Sequence, residues 1–122
     1  MAAPNIVNVT SIYGKTMGAD LGLTTTTDIL TCGANKVLKI NSIIVSNIDG
    51  SNNADVTIYF YDSSAAARYA LASTVTVPAD GTLVVVGKDN PIYLEESDQI
   101  EAGASATGDL NIIISYEEID DA

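Results

Sequence analysis

Val37, Ile40, Ile43, Ile44 and Val45 crowd one nine-residue stretch with β-branched side chains, which favour an extended chain over a helix. Soon afterwards Val56, Ile58 and Phe60 alternate with Thr57, Tyr59 and Tyr61, the period of a half-buried strand. Between the two lie Asn47, Asp49, Gly50, Ser51, Asn52 and Asn53, residues that tolerate positive φ and bond their own backbone. Residues 37–61 are therefore expected to form a β-hairpin with a long polar tip, and the rest of the chain must supply the sheets that cover it.

The remaining sequence supplies them. Ile6, Val7, Val9, Ile12 and Tyr13 suggest a first strand, and Ile29, Leu30 and Cys32 a short second one ended by Gly33 and Asn35. Residues 14–27, with three glycines and four consecutive threonines, read as a surface excursion. After a turn near Ser63 and Ser64, Tyr69, Leu71, Val75 and Val77 mark another alternating strand. Pro78, Asp80 and Gly81 then turn the chain into Leu83, Val84, Val85 and Val86. A short strand follows Pro91. In the next, Ile100, Ala102 and Ala104 share one face, and their small size suggests close approach of two sheets. Leu110, Ile112 and Ile114 belong to the last strand.

About eight strands joined mostly by short turns point to an all-β chain, an antiparallel β-sandwich of jelly-roll type. At 122 residues one domain is expected over residues 1–122, with residues 1–5 as a lead-in and residues 119–122 as an acidic tail.

Charge and composition exclude several roles. Five basic against sixteen acidic residues give a net charge of −11, which repels nucleic-acid phosphates and anionic lipid, so neither is an expected partner. No apolar run reaches the ~20 residues of a membrane-spanning helix, and the first residues carry no signal-peptide pattern. The single Cys32 has no disulfide partner within the chain and reads as a small buried hydrophobe.

Histidine is missing from the sequence, which removes the commonest general base and metal ligand and excludes Ser–His or Cys–His catalysis. The densest acids are Glu95, Glu96 and Asp98, with Glu117 and Glu118. Without tryptophan and with one phenylalanine, they read as solvating turns and tail rather than holding a sugar. Asp49, Ser51, Asn53 and Asp55 place oxygens at alternate positions, a pattern that can bind calcium. The glycine is misplaced for an EF-hand, however, and its twelfth position is Phe60, so an ordinary loop is expected. No catalytic residue, cofactor or metal site is assigned.

Six tyrosines remain. Tyr59 and Tyr61 share a strand face opposite to Ile58 and Phe60, and a phenolic face suits a subunit contact, packing or a glycan platform. The apolar strand holding Val84 and Val86 needs cover on both faces, which a second sandwich layer provides on one side and a neighbouring subunit is expected to provide on the other. Tyr59, Tyr61, Tyr69, Val84 and Val86 are the candidate assembly contacts.

The block from Lys39 to Asp62, the run from Lys88 through Pro91, Tyr93 and Glu95 to Ile100, and the ending Ile114, Ser115, Tyr116, Glu117, Glu118 and Ile119 carry a resemblance. Over residues 36–119 the chain resembles small virion structural proteins of tailed phages, marine and cyanobacterial ones in particular. The resemblance implies a multimeric β-sandwich without enzymatic activity that assembles on a head, neck or tail. The expected role is a capsid decoration or cement protein of the virion, assembled in the host cytoplasm. Its expected partners are further copies of itself, a trimer being favoured, and the major capsid protein or another virion protein. The alternative is a tail, neck or fibre module that recognises host-surface glycans, and a third possibility is a carbohydrate-binding domain unrelated to phage.

Overall fold

In the computed structural model, residues 11–120 are described; they form nine strands and, among them, no helix. The strands are β1 (Ser11–Asp20), β2 (Asp28–Thr31), β3 (Lys36–Asn47), β4 (Ala54–Asp62) and β5 (Ala67–Val77). They continue with β6 (Thr82–Val86), β7 (Ile92–Leu94), β8 (Gln99–Ala104) and β9 (Leu110–Asp120). One sheet runs β1-β9-β3-β6, with β7 also on β3; the other runs β2-β8-β4-β5.

The pairings are antiparallel and nested: β1 with β9, β2 with β8, β3 with β6 and β7, β4 with β5. The chain is thus one long hairpin, turned at residues 63–66 and rolled up so that its segments fall in two sheets. β6 pairs Ile43 to Ser46 and β7 pairs Leu38 to Ile40, so they act as one interrupted edge strand. Counted that way, the sandwich has the eight strands and strand order of a jelly roll.

The core explains the alternation. Ile40, Ile43 and Val45 of β3 and Ile112 and Ile114 of β9 point inward from one sheet. Val56 and Ile58 of β4 and Ile100, Ala102 and Ala104 of β8 meet them from the other. Each fully buried Val, Leu or Ile contributes about 1.5–3 kcal/mol.

The expected hairpin over residues 37–61 is not formed, because β3 and β4 lie in different sheets. A hairpin tip and a crossing between sheets use the same Asn, Asp and Gly chemistry, and only the strands' hydrogen-bond partners tell them apart. Here the loop is anchored to other turns. The buried Asn47 side chain donates through Nδ2 to the carbonyls of Asn52 (3.0 Å) and Val77 (2.9 Å) and accepts from the Asp49 amide (2.9 Å). Its own amide donates to Gly81 O, and that of Ile48 to Asp109 O. The local hairpin is instead β4–β5.

Residues 14–27 are not a surface excursion throughout. Up to Asp20 they belong to β1, an edge strand whose exposure explains its polar composition. Residues 22–27 arch over β8: the Ala104 amide donates to Gly22 O (2.7 Å) and the Ala102 amide to Thr27 O (3.1 Å). A Cβ on the intervening Gly103 would stand 2.5 Å from the Thr24 carbonyl oxygen, so the glycine is what admits the arch. The close approach thus lies outside the sandwich, against Gly103, as well as between the sheets.

The last acids are no free tail either. β9 continues to Asp120, with Ile119 buried opposite Val37. The expected lead-in over residues 1–5, the first-strand residues Ile6, Val7 and Val9, and Asp121 and Ala122 lie outside the described residues.

Candidate interaction surfaces

Four of the five candidate contacts fall on three different surfaces, and the fifth, Val86, lies in the core. Because Ile58 is fully buried, Tyr59 and Tyr61 turn to the outer face of the β2-β8-β4-β5 sheet, where both are half-buried. Tyr59 stands opposite Glu101 of β8 and Tyr61 opposite Arg68 of β5. Arg68 Nε donates to Glu101 Oε1 at 2.8 Å and Nη2 to Oε2 at 3.4 Å, and the guanidinium carbon lies 5.3 Å from the Tyr61 ring centre. The Glu101 carboxylate raises the guanidinium pKa still further above its usual range. This face is a charge-bearing cluster around the buried Glu101, with tyrosine rings as its walls.

Tyr69 is placed elsewhere. It lies opposite Phe60 at the sandwich edge, and with Phe60, Ala70, Leu71, Ile92 and Tyr93 it lines an apolar notch of about 160 Å3 between β5 and β7. Tyr69 is 57% and Tyr93 48% exposed, so two phenols flank the mouth.

Val84 and Val86 part company. Val84, 60% exposed, projects from the outer face of the β1-β9-β3-β6 sheet opposite Ile44. Val86 faces Ile43 inside and is only 4% exposed, so it is a core residue and not an assembly contact. An even spacing puts two residues on one face only in a regular strand. Here the register shifts between Ile43 and Ile44, and the shift turns Val86 inward.

Two further exposed positions adjoin these surfaces: Tyr93, one of the six tyrosines noted from sequence, and Ile113, which was not singled out and is 41% exposed beside Ile44. A signal for the second exists, since three consecutive isoleucines at 112–114 in one strand cannot all face the core.

The acidic groups serve the fold. Asp98, buried, accepts from the Ser63 amide through Oδ1 and from the Glu95 amide through Oδ2, each at 3.0 Å. Glu96 accepts from the Asn35 amide at 2.9 Å, and Glu117 from Asn41 Nδ2 at 3.2 Å. Glu118 meets Lys15 at 3.1 Å and Lys36 at 3.2 Å, and Asp120 meets Lys36 at 2.7 Å. Hydrogen bonds from Lys36 to Asp120 and then to Glu118 raise the ammonium pKa.

In the loop after β3, Asp49 accepts from the amides of Ser51 (2.8 Å) and Asn52 (3.3 Å) and from Asn52 Nδ2 (3.2 Å). The Ser51 amide is the main cause holding its carboxyl below the usual range. Among the described residues no group of three or more Cys, Asp or Glu side chains is arranged to hold a metal ion. Cys32 is buried, its thiol directed at the Lys36 carbonyl (3.2 Å), and burial pushes its pKa up to about 11.

The fold defines a class, the antiparallel jelly-roll sandwich. No family model matches the chain, and a search of the curated proteins likewise finds no match. None of the described helix-free chain is a helix long and apolar enough to cross a membrane.

Proposed function

We propose that the protein is a non-enzymatic structural component of a tailed-phage particle, present in many copies and serving on the head as a decoration or cement protein. One observation carries the reading: Val84, Ile113, Tyr69 and Tyr93 stand exposed on a strongly acidic sandwich many of whose acids brace turns or pair with cations. Exposed apolar groups on a rigid scaffold favour contact with other subunits. The resemblance of residues 36–119 to small phage virion proteins supplies the particle. The partners are sister copies and the major capsid protein or another virion protein, met during assembly in the host cytoplasm. Each contact stabilises the shell through the area it buries.

Immunogold labelling of purified particles tests this. Label over the head is expected, and label confined to the tail would replace the proposal with its alternative, a tail or fibre module that recognises host glycans. The notch flanked by Tyr69 and Tyr93 favours that second reading. Glycan-array binding that is lost in Tyr69→Ala would support it.

A further inference from the structure

We propose that Lys39 and Lys88, with Asn41 and Ser42, bind a single phosphoryl group, free or carried on a small ester, in a depression on the outer face of the β1-β9-β3-β6 sheet. The site is independent of the particle-borne role proposed above.

An irregularity in β3 builds it. Ile40 and Ile43 are both fully buried although three residues apart, where a regular strand would turn one of them outward. The extra residue is Asn41: β9 pairs Tyr116 with Ile40 and Ser115 with Ser42, and the register shifts in between. Asn41 and Ser42 are therefore both left partly exposed, next to Lys39, whose neighbours Leu38 and Ile40 face the core.

The edge of the sheet is broken at the same place. β7 pairs with β3 only as far as Ile40, and β6 only from Ile43 onward. Residues 87–91 thus pass Asn41 and Ser42 as a loop and not as a strand. The Asn90 amide closes that loop on Gly87 O at 3.0 Å, with Lys88 inside the turn. Lys39, Asn41, Ser42, Lys88 and Glu117 line the resulting depression of about 390 Å3.

Charge fixes the sign of the ligand. Of the five basic residues, Lys15, Lys36 and Arg68 are tied to carboxylates. Among the described residues Lys39 and Lys88 form no ion pair, although Glu117 stands opposite Lys39 across the strands. Two uncommitted ammonium groups at one depression attract an anion. At physiological salt, charges more than ~8 Å away are largely screened. A compact anion therefore meets these lysines, whereas a long polyanion also meets the surrounding acids of a chain carrying −11.

The donors and the single acceptor narrow the chemistry. The two ammonium groups, the Ser42 hydroxyl and the Asn41 amide donate. Asn41 Nδ2 also holds Glu117 Oε2 at 3.2 Å, which fixes one carboxylate in the lining. The ligand that fits presents several acceptor oxygens and one donor. Phosphate near neutral pH is such a ligand, since it is anionic and retains a P–OH that can donate to Glu117. Sulfate has no proton and would set bare oxygens against the carboxylate.

Nuclear magnetic resonance titration of the folded protein with inorganic phosphate, at constant ionic strength, is the test. Saturable amide shifts are expected in residues 39–42 and 87–90, with sulfate about tenfold weaker or more. Lys39→Ala and Lys88→Ala are each expected to weaken phosphate binding by about tenfold. Lys88 is exposed and Lys39 half-buried, and circular dichroism should show both variants folded. Glu117→Gln should remove the preference for phosphate over sulfate. Glycerol phosphate separates the two sources: binding tighter than inorganic phosphate assigns the site to small esters, weaker binding assigns it to the free ion, and either supports the site. Shifts that grow without saturation, equal affinity for sulfate, or binding indifferent to both lysine variants would overturn the proposal.

Discussion

Asn47 Nδ2 donates to the Val77 carbonyl oxygen at 2.9 Å, tying the end of β3 in one sheet to the end of β5 in the other. The same amide group reaches Asn52 O, and its oxygen accepts from Asp49 N, so one buried side chain fixes the crossing loop on three sides. Asn47→Ala would leave the buried Val77 carbonyl without its donor and the Asp49 amide without its acceptor, and is expected to lower unfolding free energy by about 2–3 kcal/mol. Urea denaturation checks it, and the midpoint should fall with little change in slope.

Gly103 gives a sharper steric prediction. Its Cβ would sit 2.5 Å from Thr24 O and 2.6 Å from Thr25 Cα, both backbone atoms that cannot swing aside. Gly103→Ala is expected to destabilise by about 1–3 kcal/mol and to loosen residues 22–27. Gly14→Ala, where a Cβ meets nothing within 4 Å, is the control and should melt within a degree or two of wild type.

How much of this was legible in the sequence depends on whether a feature is local. The sandwich was, because Val56 and Ile58 in β4 and Ile100, Ala102 and Ala104 in β8 face the core at the alternate spacing; in β5 the spacing fails, since Ala72 is buried and Tyr69 and Val75 are exposed where the β4–β5 register shifts. The pairing of β3 with β9 across some seventy residues was not, since residues 47–53 read alike as hairpin tip or crossing. Val86 was misplaced because a register shift leaves no mark in composition. Ile119 read as tail because the acids around it look solvated, whereas Lys15 and Lys36 neutralise Glu118 and Asp120 within the sheet. Among the candidate contacts, Tyr69 and Val84 are exposed as a docking role requires; Tyr59 and Tyr61 are drawn into the Arg68 cluster.

The Arg68–Glu101 pair is lopsided: the carboxylate side chain is 5% exposed and the guanidinium side chain 42%. Removing the cation strands a buried charge, while neutralising the acid releases a cation into water. Arg68→Ala should therefore lower the thermal midpoint more than Glu101→Gln, and the double variant should recover part of the loss. Equal losses from the two single changes would contradict this reading.

Cys32 sets a pH dependence. Its thiol ionises at about 11 in the fold, against 9.0 for an unperturbed thiol, because burial penalises the thiolate. The unfolded chain thus releases this proton first. The thiol's contribution to stability is complete below pH 9.0 and declines as pH rises towards about 11. Denaturation at several pH values should show that decline in wild type and a shallower one in Cys32→Ala. A thiol reagent at neutral pH should react far more slowly with the folded than with the unfolded protein.

Membership of a phage particle is the claim on which the functional account turns, and mass spectrometry of gradient-purified particles tests it most directly. The account predicts peptides of this chain co-sedimenting with intact particles, in many copies relative to the portal. Particles that lack the chain while infected-cell lysate contains it would contradict the account.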